Sequence, residues 1–162
     1  MSRRLTLFAV ALLVAGGAIF FGWRYVAEQE GHTCQACSRA VHPHSRTIAS
    51  VGGKRGVYCC PACALSEHQQ DGRPVEILEL SDYRDGHALK PNDAFIVKSS
   101  DVNPCLQHGA MVSPDGQPMH SSFDRCSPSM LAFGDLNAAR SFAASHGGRV
   151  LRFAELAAQF RQ

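Results

Sequence analysis

Met130-Leu131-Ala132-Phe133-Gly134-Asp135-Leu136, then Ala139, Phe142 and Ala143, then His146-Gly147-Gly148-Arg149-Val150-Leu151-Arg152-Phe153, reads as strand, helix, strand. The run Met130–Phe133 is the candidate strand before the helix. Asp135 is a good N-cap, because its carboxylate accepts from amides of the first helical turn. Leu136, Ala139, Phe142 and Ala143 share one helical face. Gly147 predicts a left-handed stop, and His146 in the last turn complements the helix dipole. A second stretch has the same order: Tyr58-Cys59-Cys60-Pro61, a helix to Gln70, Gly72, then Val75-Glu76-Ile77-Leu78. An offset of 75 residues superposes Gly72 on Gly147 and Val75 on Val150. Pro61 suits the first helical position, so Cys60 takes the capping place that Asp135 holds in the other stretch.

Each stretch is preceded by a further candidate strand, Thr47–Val51 and Ala94–Lys98. The expected class is therefore α+β, an N-terminal transmembrane helix followed by two duplicated ββαβ units. The expected divisions are an anchor over 1–23, a polar tether over 24–33, a Cys-rich ββαβ unit over 34–81, a linker over 82–92 and a second ββαβ unit over 93–162. Gly52-Gly53-Lys54 joins the first pair of strands tightly. The second pair needs the long loop 99–128, and a loop of that length in a compact domain is usually functional or disordered.

The anchor rests on Leu5–Trp23, nineteen residues without a charge after Arg3 and Arg4. At helical rise this is about 28 Å, close to a bilayer core. The competing reading is a cleaved signal peptide, but the run is long for one and no small-x-small site follows Trp23. The basic residues before the run put the N-terminus in the cytoplasm and the remainder outside, as a single-pass protein of the inner membrane with a periplasmic domain. Without Arg3 and Arg4 the sixteen basic residues fall to fourteen, equal to the acidic ones, and no basic stripe remains. That balance excludes a nucleic-acid partner.

Seven cysteines are many for 162 residues, and an odd number cannot all pair within the chain. Cys34-x-x-Cys37 and Cys60-x-x-Cys63 have the spacing of a four-sulfur metal site. Cys60 and Cys63 lie at a helix N-terminus, where the dipole favours the thiolate that binds metal. Strand alternation would turn Cys59 away from Cys60, leaving it as the spare. The long loop adds Cys105, His108, Met111, Met119, His120 and Cys126, a mixture of thiol, imidazole and thioether that suits Cu(I). A Cys34–Cys37 or a Cys105–Cys126 disulfide would be the structural alternative. The predicted ligands are Cys34, Cys37, Cys60, Cys63, Met119, His120 and Cys126, with Cu(I) as the ion and Zn2+ as the alternative.

Ser129–Asp135, Ala138-Ala139, Phe142-Ala143, His146–Val150 and Phe153–Leu156 together resemble the C-terminal signature of the NosL family, membrane-attached or lipoprotein copper-binding accessory proteins of nitrous oxide reductase maturation. The resemblance covers roughly residues 34–156 and is closest from 126 onward. It implies duplicated ββα-type units, Cu(I) binding and delivery toward a copper enzyme, and it transfers Cys37 and Met119 as ligands. Family members carry Cys-Gly-Met near the start; here Cys37 is followed by Ser38 and Arg39, so no methionine carries over there. The Cys59-Cys60-Pro61-Ala62-Cys63 run instead resembles treble-clef or YHS-like metal modules.

The expectation is a membrane-anchored extracytoplasmic Cu(I)-binding accessory protein, not an enzyme, whose partner is a copper enzyme or copper transporter. The alternatives are a thiol-disulfide redox protein using the two C-x-x-C pairs and a structural zinc module. A carbon–mercury lyase is a further alternative, by fold analogy alone.

Overall fold

The structure is a computed structural model that describes residues 13–22, 31–106 and 124–158. The chain divides into two units, Met1–His32 and Thr33–Gln162. In the first, residues 13–22 of the apolar run form helix α1, with Leu13, Val14, Ile19, Phe20 and Phe21 exposed. No helix among the described residues is long and apolar enough to cross a membrane.

The second unit is mixed α+β. Strand β1 (Thr47–Val51) lies between β2 (Lys54–Tyr58) and β3 (Val75–Ser81), and a two-residue strand β4 (Ala88–Leu89) extends the edge, giving the order β2-β1-β3-β4. Strand β5 (Phe95–Lys98) likewise lies between β6 (Met130–Phe133) and β7 (Arg149–Arg152), in the order β6-β5-β7. Every pairing in both sheets is antiparallel. Helix α2 (Pro61–Asp71) connects β2 to β3, and α3 (Leu136–His146) connects β6 to β7. In both sheets the first strand thus pairs with the second and the third, and the helix makes the crossover. Strand β4 and a short helix α4 (Phe153–Ala158) are additions to the expected ββαβ units.

Local chemistry accounts for the ends. Val51 pairs with Lys54 across Gly52 and Gly53, whose φ of 57° and 81° are those of a tight hairpin turn that twists with its strands. The Asp135 side chain accepts from the Ala138 amide at 2.7 Å, as a cap should. Gly72 ends α2 in the left-handed conformation. Gly147 differs from expectation: its φ is 69° but its ψ is −172°, so the chain leaves α3 extended rather than through a left-handed cap. Gly148 follows with φ 94°, and a Cβ there would meet the Lys98 carbonyl oxygen at 2.8 Å, so glycine lets the chain lie this close to β5.

The second sheet is covered on both faces. Val97, Leu131 and Phe133 pack with Ala139 of α3, and Tyr83 and Phe142 close that side with ring centroids 5.3 Å apart. Ile96, Met130 and Ala132 face the other way, into a core shared with Ala49, Leu80 and Leu156. Alternation along β6 therefore buries all four of its residues. Full burial of each large side chain, such as Leu80, Ile96, Leu131, Phe133 and Leu156, is worth about 1.5–3 kcal/mol. Helix α2 touches β1 and β3 of one sheet and β6 of the other, and its residues Pro61 to Glu67 are all buried. This placement carries Cys63 into the middle of the molecule.

A buried carboxylate joins the two sheets at one end. Asp82, 0% exposed, accepts from the Gly134 amide at 2.8 Å and from the Arg84 amide, Nε and Nη2 at 2.9, 3.0 and 2.8 Å. The Tyr83 amide adds a bond of 2.8 Å to the Ala132 carbonyl.

Candidate metal centre

Three pieces of chain deliver the sulfurs. The first is a knuckle closed by the Thr33–Ala40 bridge, with the Cys34 amide donating to the Arg39 carbonyl at 2.8 Å and the Ser38 amide to the Cys34 carbonyl at 2.9 Å. Ser38 has φ 59°, the left-handed conformation that glycine adopts most easily. The Gln35 amide donates to the Val57 carbonyl at 3.1 Å, which seats the knuckle on β2.

The second piece is the exit of β2. Cys59 and Cys60 form a bend, Cys60 caps α2 in an extended conformation without a side-chain bond, and Cys63 follows in the first turn. The third brings together the two described ends of the long loop. Asn103 holds both of its cysteines: its Oδ1 accepts from the Cys105 amide at 3.2 Å, and its Nδ2 donates to the Cys126 carbonyl at 2.9 Å. Asp124 accepts from the Cys126 amide at 2.8 Å and meets Arg39 through a two-pronged ion pair of 2.8 and 2.6 Å. Arg39 Nη1 also donates to Cys126 Sγ at 3.2 Å. Arg39 thus serves the cysteines as a cation and hydrogen-bond donor.

All seven cysteines are free and six of them are buried; Cys37 is half-buried. Cys59 Sγ lies 3.6 Å from Cys37 Sγ, 3.6 Å from Cys63, 3.5 Å from Cys126 and 3.9 Å from Cys60. Cys63 and Cys126 are 3.3 Å apart, and Cys37 and Cys126 3.9 Å. These distances are far beyond an S–S bond of about 2.05 Å. They are close to the roughly 3.8 Å that separates sulfurs around a tetrahedral ion with metal–sulfur bonds of about 2.3 Å. Two quartets have their sulfurs mutually within 4.8 Å: Cys34, Cys37, Cys59 and Cys63, and Cys59, Cys60, Cys105 and Cys126.

The cysteines share their protons unequally. Cys126 is held well below the ordinary thiol value by hydrogen bonding to Cys105, Cys37 and Cys59, and Cys60 is also lowered, chiefly by Cys105. Cys37 falls to about 3, the bond to Cys126 opposing the shift and those to Cys34, Cys59 and Cys63 outweighing it. Cys34 falls to about 6, with Cys37 opposing and Cys59 and Cys63 outweighing it. Cys59 is pushed up, chiefly by Cys105, and Cys63 and Cys105 are pushed up chiefly by Cys126. Without metal the cage therefore holds thiolates beside thiols, and a soft cation would bind by displacing the remaining protons.

The structure regroups the predicted ligands. Cys34, Cys37 and Cys63 come together as the spacing implies, but Cys59, read as the spare, completes their quartet, and Cys60 joins Cys105 and Cys126. Strand alternation does not reach these residues, because β2 ends at Tyr58 and Cys59 and Cys60 lie on a bend where period two no longer holds. Met119 and His120, with His108 and Met111, lie outside the described residues. A third cluster, Asp82, Asp85 and His87, is already engaged, Asp82 by Arg84 and Gly134, and Asp85 by His87 at 2.5 Å.

Fold and site together define a small α+β protein enclosing a cage of seven thiols. No protein-family profile matches the chain, and no curated protein matches it. Among solved structures it is similar to the copper chaperone NosL from Shewanella denitrificans, with 17% identity over 78% of this chain and 90% of that chain and a TM-score of 0.47.

Proposed function

We propose that this chain is a membrane-anchored, extracytoplasmic Cu(I)-binding protein that captures the ion with thiolates and passes it to a copper enzyme or transporter, without catalysis of its own. The observation that carries the reading is the cage itself: seven free thiols from three pieces of chain, with Cys59 Sγ within 3.9 Å of four others. Soft thiolates select soft ions, and Cu(I), which needs only two or three of them, moves readily between donors by exchange. Half-buried Cys37 is the natural first contact for an arriving or departing ion. The apolar run Leu5–Trp23 behind Arg3 and Arg4 supports the anchor, with the N-terminus cytoplasmic and the cage in the periplasm. The NosL-like signature supports a maturation role. Met119 and His120 would serve as auxiliary donors of the loop.

One feature favours a second reading. The quartet Cys34, Cys37, Cys59 and Cys63 is a four-sulfur set of the kind that holds structural Zn2+. The two readings separate in an anaerobic titration against chromophoric chelators for Cu(I) and for Zn2+, on the wild type and on Cys63→Ser, with circular dichroism as the folding control. Tight Cu(I) binding that weakens at least tenfold in the variant supports the copper reading. Retention of Zn2+ with all Cu(I) left on the chelator replaces it with the zinc reading. Failure to take up either ion with seven reduced thiols would sink both.

A further inference from the structure

We infer that the cage holds at least two soft metal ions per chain, joined by Cys59 Sγ as a bridging thiolate. The inference rests on the metal-binding reading and goes beyond it in the number of ions and the role of one sulfur. One tetrahedral ion uses at most four sulfurs, and Cu(I) uses two or three. A single ion would leave at least three of these cysteines without a role, although six of the seven are buried. The sulfurs instead form two quartets that share one member, Cys59, and together include every cysteine in the chain. Cys59 Sγ is also the hub of the distances, lying against Cys37 and Cys63 of one quartet and Cys60 of the other, at 3.6, 3.6 and 3.9 Å. A thiolate sulfur has three lone pairs, so one such sulfur can bind two soft ions at once.

The second quartet is as firmly positioned as the first. Asn103 and Asp124 hold the Cys105 amide and both backbone polar groups of Cys126. Binding is proton displacement only: each thiol that becomes a ligand releases one proton, and no electron moves.

The test is stoichiometry on the reduced full-length chain in detergent, loaded anaerobically with Cu(I) and read by native mass spectrometry and X-ray absorption. At least two ions per chain and a metal–metal scattering path are expected. Cys105→Ser, which leaves the second quartet three sulfurs, should weaken retention of the second ion at least tenfold against a competing chelator and leave the first unchanged, and Cys59→Ser should abolish the metal–metal path. One ion per wild-type chain overturns the inference and leaves the proposed function standing; no ion overturns both. A metal–metal path that persists in Cys59→Ser, or a second ion held as tightly in Cys105→Ser as in the wild type, overturns the shared-sulfur arrangement. Because Cys105 lies outside the knuckle and α2, its variant remains informative if Cys59→Ser does not fold.

Discussion

Replacing Arg39 with Met should loosen the closure between the two sequence-distant halves of the cage. Arg39 comes from the knuckle, and its partners Asp124 and Cys126 lie eighty-five and eighty-seven positions further along. The substitution removes two charge-assisted bonds to Asp124, of 2.8 and 2.6 Å, and one to Cys126 Sγ at 3.2 Å. It leaves the Asp124 carboxylate with only the Cys126 amide among its bonds to the cage. Exposed ion pairs contribute about 0–1 kcal/mol, and breaking a fully buried pair costs about 3–5 kcal/mol. At 16% and 19% side-chain exposure this pair lies between those limits, which gives about 2 kcal/mol. The assay is urea unfolding of the reduced, metal-free chain under argon for Arg39→Met, Asp124→Asn and the double variant. The double variant should be less destabilised than the sum of the singles by about 2 kcal/mol, because each single leaves its partner unpaired. A coupling below about 0.5 kcal/mol would show that the fork does not hold the loop ends to the knuckle.

Asp82 predicts acid sensitivity at the junction of the sheets. Burial pushes its carboxyl up, but Arg84 and the amides of Arg84 and Gly134 outweigh that and hold it at about 2, below its ordinary 3.8. A depressed carboxyl contributes stability that is complete above 3.8 and lost as pH falls through about 2. The full contribution is about 2 kcal/mol, and nearer 1 after allowing for the half-exposed Arg84, so urea melts of the wild type should weaken over that window while those of Asp82→Asn stay flatter. Gly134→Ala should cost about 1–3 kcal/mol in the same melts, since its Cβ would meet Leu89 Cδ2 at 2.9 Å and Asp82 Oδ2 at 3.2 Å; an unchanged midpoint would mean the junction gives way freely. Stripping the metal with a thiol-rich chelator should lower the thermal midpoint and expose seven thiols to Ellman's reagent on denaturation, where five or fewer would indicate disulfides and favour a redox role.

Much of the fold was legible in local chemistry. Strands β1 and β6 occupy the stretches their apolar pattern marks, Asp135 caps α3, and Gly52-Gly53 turns the first hairpin. These are decisions made within a few residues, where propensity and capping act. The site is different. The meeting of Cys105 and Cys126 with Cys59 depends on how the two sheets pack around α2, and no spacing in the sequence encodes it. The Arg39–Asp124 pair spans eighty-five positions and has no motif. Cys59 departs from the expected alternation for a local reason: β2 ends at Tyr58, one residue before it. A Cys-Cys dipeptide between a strand and a proline-initiated helix is the signal that both thiols lie on a bend, free to face different partners.

The location of the cage bears on its chemistry. Cys34, Cys59, Cys60, Cys63, Cys105 and Cys126 belong to the same buried cluster as Ala49, Leu80, Ile96 and Leu156. Sulfur therefore fills core volume that a protein of this size would ordinarily give to aliphatic side chains. A buried cysteine packs as a small hydrophobe when protonated and becomes a costly charge when it is not. The cluster reconciles these roles only by sharing protons or by taking metal. Shared protons leave thiolates beside thiols, a compromise that oxidation can exploit; bound cations neutralise the charge, retain the packing and occupy the lone pairs. The same sulfurs then serve as core and as site, and loading the site completes the fold. Under the proposed function, release of the ion would start at half-buried Cys37, since the other six cysteines are buried.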